Sequence, residues 1–180
     1  MHQWLKDFVI PLIAPVVAIV VPTILFYVIP RRWNRHNLAL ALFEGFYGEE
    51  MRQARLAAWC HFVTEMRPED GERRQQRFDL FRAFLTEPEV GRRVDEATHG
   101  LLQKTSRVLD YFAIVDGCLA RGAVDPNMVR SFLAYYWFWW RQMVLKPLWE
   151  KPLPSVTPPH FLPPWWRGLP HLDRACGLEP

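Results

Sequence analysis

Residues 94–120 read VDEATHGLLQKTSRVLDYFAIVDGCLA, and their apolar spacing decides the fold class. Val94, Ala97, Leu101, Val108, Phe112, Val115 and Leu119 recur at intervals of three, four and seven, with Thr105 filling the one-turn gap. That is the repeat of one helix face and not the alternation of a strand. The pattern predicts a helix from about Glu89 to Arg121. Gly122 is placed to cap its C-terminus. Asp125-Pro126 then reads as an N-cap followed by proline at the first helical position, opening a further helix to about Lys146, before Pro147. The short turn between the two predicts an antiparallel hairpin.

Upstream, a helix is expected from about Asn37 to Met66, interrupted near Gly45 and Gly48. Pro68-Glu-Asp-Gly71 reads as a turn. A helix over Glu72–Leu85 would present Phe78, Phe81 and Leu85 on one face, and Pro88 marks the next break. The fold class is therefore all-α, a small antiparallel helical bundle.

The hairpin's second helix is apolar on more sides than one core requires. Val129, Phe132, Leu133, Tyr136, Trp139, Trp140 and Met143 serve the partner helix. Trp137, Phe138 and Leu145 then need a second cover: the first helix, the C-terminal tail, the membrane surface or another protein.

Phe8–Ile29 is a stretch of 22 residues in which only Thr23 and the Tyr27 hydroxyl are polar. As a helix it is roughly 33 Å long, close to the hydrocarbon thickness of a bilayer at about 30 Å. Its core is too long for a cleaved signal peptide, and it ends in Tyr-Val-Ile-Pro-Arg-Arg without a small-residue cleavage site. Trp4, Tyr27 and Trp33 flank it as interfacial aromatics. Lys6 and Asp7 cancel before it, whereas Arg31, Arg32 and Arg35 follow it. The basic flank predicts an inner-membrane, single-pass chain with its N-terminus outside and its helical domain and tail cytoplasmic. Pro11, Pro15 and Pro22 fall within about 40° of one another on the helical wheel. With Ala14 and Ala18 they form a candidate packing face for another membrane helix.

Residues 151–180 hold eight of the sixteen prolines, so an extended or polyproline tail is expected. Phe161, Leu162, Trp165, Trp166 and Leu169 are out of place in a solvated linker. The tail reads as a docking strap for its own domain, a partner or the bilayer surface, where Trp165-Trp166-Arg167 suits the headgroup region. Three units follow: residues 1–35 as anchor, 36–150 as helical domain, 151–180 as tail.

The chemistry is sparse. The net charge of +3 is too small and scattered for nucleic acid. Cys60, Cys118 and Cys176 form neither a disulfide framework nor a zinc site. No phosphate loop, dinucleotide fingerprint, nucleophile elbow or HExxH occurs. The histidines, His61 and His99 among them, show no metal-ligand spacing, and neither cofactor nor small-molecule substrate is expected. Asp110, Asp116 and Arg141 are the only candidates for acid–base work; salt-bridging across the hairpin is the simpler reading.

The run VLDYFAIVDGCLARGAVD over residues 108–125, between an N-terminal apolar segment and an aromatic helix, resembles an uncharacterised bacterial family of short, membrane-anchored helical proteins. The resemblance covers residues 8–150 and implies the fold without an activity. The expected function is a non-catalytic accessory or scaffold subunit of a larger membrane complex, of respiratory or photosynthetic type for instance. Its contacts would be Trp137, Phe138, Leu145, Phe161, Leu162, Trp165, Trp166 and Arg167, with lipid and other membrane subunits as partners. A membrane-tethered regulator of a soluble protein is the alternative.

Overall fold

The computed structural model describes residues 20, 23–62, 71–150 and 162–178. A π-helical turn, Ile24–Val28, leads into α1 (Ile29–Tyr47), followed by α2 (Glu49–Phe62), α3 (Gly71–Thr86), α4 (Pro88–Arg93), α5 (Glu96–Ala120) and α6 (Pro126–Trp140). A second π turn, Arg141–Leu145, continues α6 into α7 (Lys146–Trp149); a 3-10 turn, Pro164–Arg167, precedes α8 (Pro170–Cys176). Among the described residues there is no strand, and the chain is all-α. No helix among them is long and apolar enough to cross a membrane. Most of the Phe8–Ile29 stretch, including Pro11, Ala14, Pro15, Ala18 and Pro22, lies outside the described residues.

Helix α5 is the spine. Helix α2 packs along it, with Arg107 paired with Glu50, and α1 meets it where Tyr111 donates its hydroxyl proton to the Leu42 carbonyl at 2.8 Å. Gly48 adopts an extended conformation and breaks α1 from α2. Phe43, Phe46, Ala54, Ala58 and Phe62 face inward.

The long helix expected from Glu89 is divided. Asp95 takes an extended conformation and caps α5, accepting from the Thr98 backbone N–H at 2.9 Å and the Thr98 hydroxyl at 2.7 Å. His99 Nδ1, 2.8 Å from the Gly91 carbonyl, holds the short α4 against the new helix. At its other end Gly122 takes φ +60°. The Gly122 N–H bonds Leu119 O and the Ala123 N–H bonds Cys118 O, a Schellman ending that lets the chain reverse into α6. The Asp125 cap and Pro126 at N1 stand as expected.

The buried face of α5 is wider than the predicted stripe. Thr105, Val108, Phe112 and Val115 are buried, but so are Leu102, Leu109 and Tyr111; Leu101, Val94 and Leu119 are half-buried and Ala97 is exposed. Helix α5 touches α2 on one side and the C-terminal segment on the other, which calls for more than one stripe.

Pro147 does not end the fourth predicted helix. Proline lacks an N–H and its ring collides with the carbonyl four residues back. The chain widens to i→i+5 bonding just before it, with the Lys146 N–H on Arg141 O. The same device precedes Pro30, where the Ile29 N–H bonds Ile24 O.

The tail is not an extended strand over its described part. Residues 162–178 fold, and α8 lies in the groove between α5 and α6. Where a tight helical hairpin was expected, α5 and α6 meet mainly through large rings: Phe112 lies 5.2 Å from Trp137 and 6.2 Å from Trp140. The segment after Pro163 fills the remaining space with Trp165, Leu169 and Leu172.

Candidate functional site

The polar residues singled out for chemistry hold the C-terminal segment in place. Asp110 on α5 accepts the Trp165 indole N–H at 2.9 Å. Asp116, two turns on, accepts the Leu172 backbone N–H at 2.8 Å and lies 3.3 Å from His171 Nδ1. Leu169, the N-cap of α8, cannot cap through its own side chain, so Asp116 supplies that carboxylate from another helix. Asp173 reaches back from α8: its Oδ1 accepts the Trp137 indole N–H at 2.7 Å and meets Arg141 Nε at 3.0 Å. Arg141 therefore pairs with Asp173, and not with Asp110 or Asp116 as expected across the hairpin. Each candidate for acid–base work carries a structural contact of the C-terminal segment.

Burial raises the Asp110 carboxyl above the ordinary aspartate value, against the smaller pull of the Trp165 hydrogen bond. Burial likewise lifts the Tyr111 phenol far above its usual value. The Cys176 thiol is pushed up to about 12 by burial and the nearby Asp173 carboxylate, so it stays protonated and unreactive. Among the described residues no group of three His, Cys, Asp or Glu side chains is arranged to hold a metal ion. His99 packs edge-on against Phe84, and His61 against Phe62.

Four of the eight residues assigned to a partner face are corrected by these contacts. Trp137, Leu145, Trp165 and Trp166 are buried within the chain. Trp137, which the α6 stripe leaves in need of a second cover, finds it in the C-terminal tail, one of the four covers the sequence allows, through α8. Trp165 stacks parallel to Phe81 at 6.3 Å, and Arg82, which donates to the Leu148 carbonyl, lies 5.9 Å from the Trp166 ring. Leu162 is half-buried, Arg167 and Phe138 remain exposed, and Phe161 lies outside the described residues.

An open aromatic surface remains, and it is on a different face. Arg52, Arg55, Leu56 and Trp59 of α2 oppose Tyr135, Tyr136, Trp139 and Trp140 of α6 across a groove of about 180 Å³. Trp59 stacks on Trp139 at 4.4 Å and forms the floor. Leu56 is 53% exposed and Tyr135 75%, with Phe138 at 50% beside them. The Arg55 guanidinium lies 4.2 Å from the Phe46 ring and 5.1 Å from Tyr136, which fixes it at the rim. Arg52 at the other rim is held by Glu49, with 2.8 Å from Nε to Oε2.

Sequence reasoning assigned Tyr136 and Trp139 to the hairpin core and passed over Leu56 and Trp59. The available signal was an apolar pair three residues apart on α2, Leu56 and Trp59, facing an aromatic pair four apart on α6, Tyr135 and Trp139.

No protein-family model, characterised protein or solved structure matches the chain.

Proposed function

We propose that this chain is a membrane-anchored, non-catalytic accessory subunit that docks an extramembrane segment of a partner protein in the α2–α6 groove. The observation that carries the reading is the aromatic surface around Leu56, Trp59, Tyr135 and Phe138, left exposed although the same chain buries ten other tryptophan and phenylalanine rings among its described residues. Contiguous exposed aromatics beside arginines have the composition of interface centres. The arginine rim favours an apolar segment with an acidic flank.

The anchoring half of the proposal is supported by the apolar length of Phe8–Ile29 and its basic flank. The N-terminal end of α6 lies beside Arg32 and Trp33 at the root of α1. Trp139 is thirteen residues further along α6, about 20 Å at about 1.5 Å per residue. A groove at that distance from an anchored α1 suits docking to a partner's extramembrane part. It also suits the second reading, a tethered regulator that captures a soluble protein reversibly.

Gentle detergent extraction followed by sizing tests the proposal. The chain is expected to migrate with a partner, and the double substitution Leu56→Glu with Tyr135→Glu, both on exposed positions, is expected to release it. A monomer free of partners, or a complex unaffected by the substitutions, overturns the accessory reading. A partner that leaves on extraction but rebinds from the soluble fraction selects the regulator.

A further inference from the structure

The end of the domain from which α1 emerges carries a second built surface. Arg31, Arg32 and Arg35 occupy the first two turns of α1. The Schellman turn between α5 and α6 delivers Arg121 to the same place. Tyr27, Arg31, Asn34 and Arg35 face Arg121 across an open cleft of about 470 Å³. Arg35 Nη2 lies 3.4 Å from where a side chain on Gly122 would begin, so the two elements are in contact. Arg121 is steadied by its own helix, Nε donating to the Gly117 carbonyl at 2.9 Å, and Arg31 by the Tyr27 hydroxyl at 3.0 Å.

Among the described residues none of these four arginines pairs with a carboxylate. Asp125, which lines the adjoining cleft with Arg32 and His36, is occupied in capping α6 through the Asn127 N–H at 2.8 Å. Converging guanidinium groups repel unless an anion lies among them, and phosphate oxygens match their geometry.

The surroundings say which phosphate. Immediately before the arginines, Ile24, Phe26, Val28 and Ile29 are all exposed, Phe26 to 81%. Trp33, 65% exposed, sits one turn beyond on the same helix. With the anchor in the bilayer these side chains lie among acyl chains, so the cleft opens at headgroup depth, where the phosphate at hand is a lipid's. A lipid places its phosphate in the cleft and its chains along them, with Tyr27 and Trp33 at headgroup depth. We infer that the Arg31–Arg35–Arg121 cleft binds the phosphate of one anionic phospholipid headgroup. This rests on the membrane-anchored reading above. The lipid would tie the α5–α6 turn to the bilayer and fix how the whole domain stands on its anchor.

The test uses the full chain in a neutral detergent, offered phosphatidylglycerol, phosphatidylcholine or inorganic phosphate, with retained lipid counted by native mass spectrometry. Phosphatidylglycerol is expected to be retained in preference to phosphatidylcholine and not to be displaced by inorganic phosphate. Arg121→Gln and Arg35→Gln should each weaken retention about fivefold, the contribution of one basic side chain at an anionic surface. Arg92→Gln, an exposed arginine on α4, should change nothing, and circular dichroism checks that each variant is folded. Equal retention of the two lipids, or an Arg121→Gln variant that behaves as the parent, overturns the cleft and leaves only diffuse attraction to α1. Equally tight binding of inorganic phosphate overturns the lipid assignment. Alkaline carbonate treatment of native membranes separately tests the anchor: release of the chain sinks the membrane reading without touching the arginine result.

Discussion

Replacing Asp173 by alanine should unlatch the C-terminal segment. Asp173 is buried, and its Oδ1 serves both the fully buried Trp137 indole and the Arg141 guanidinium, whose side chain is 21% exposed. Removing one member of a buried pair costs about 3–5 kcal/mol, because the other charge is left uncompensated. The partial exposure of Arg141 draws this toward the lower end, and the orphaned indole N–H adds to it. A loss of about 3–4 kcal/mol is a large fraction of the 5–15 kcal/mol that holds a typical domain together. At about 2–4 °C per kcal/mol for a chain of this size, the midpoint should fall by about 6–16 °C. Thermal unfolding of the full chain, followed by far-ultraviolet circular dichroism, measures it. Asp173→Asn keeps an acceptor for Trp137 and drops the charge, so it should lose about half as much. Combining Asp173→Ala with Arg141→Met should recover part of the loss, since no buried cation then remains unpaired. A midpoint within about 2 °C of the parent would refute the latch, as would strict additivity of the two substitutions.

Three further outcomes follow from the geometry. Asp110 has a folded pKa above its unfolded value near about 3.9, so the native state binds the proton more readily; its contribution favours folding below that window and is lost as pH rises through it. Asp110→Asn, which keeps an acceptor for Trp165, should flatten that fall in an unfolding-versus-pH series and raise stability at neutral pH. Gly122→Ala forces a side chain into φ +60° beside Arg35 and should cost about 1–2 kcal/mol in denaturant titration. In the folded chain Cys60, which is exposed, should react with a thiol reagent well before Cys176, which should become reactive only on unfolding; rapid native labelling of Cys176 would contradict its seat in the core.

The helices themselves were legible wherever a cap or a periodic face wrote them locally. Asp125-Pro126, Gly122 and the Val108–Phe112–Val115 face stand in the structure where the residues put them. What could not be read was which helix covers which face. Trp137 was correctly recognised as needing a second cover, but a single sequence does not say that α8 provides it, since that contact joins segments far apart in the chain. Asp110 and Asp116 illustrate the same limit. Aspartates in an apolar helix look alike whether they meet substrate, solvent or a neighbouring indole, and only the docked arm distinguishes these. Prolines misled in both directions: Pro147 was read as a stop, although a π turn carries the helix past it, and Pro164 was read as extended chain, although it opens a 3-10 turn at a first position that suits proline. The groove of Trp59 and Trp139 was hidden because its two halves lie on helices whose packing periodicity points elsewhere.

Residues 165–176 leave the ribosome after every helix they cover, and this orders the protein's maturation. Until they arrive, Phe112 and Trp137 face an unfilled seam between α5 and α6, the sort of transient apolar opening that chaperones bind and proteases sample. An anchor at the N-terminal end would by then already be in place. The domain is therefore sealed late, by α8, and a message truncated before Trp165 would yield a permanently unsealed product.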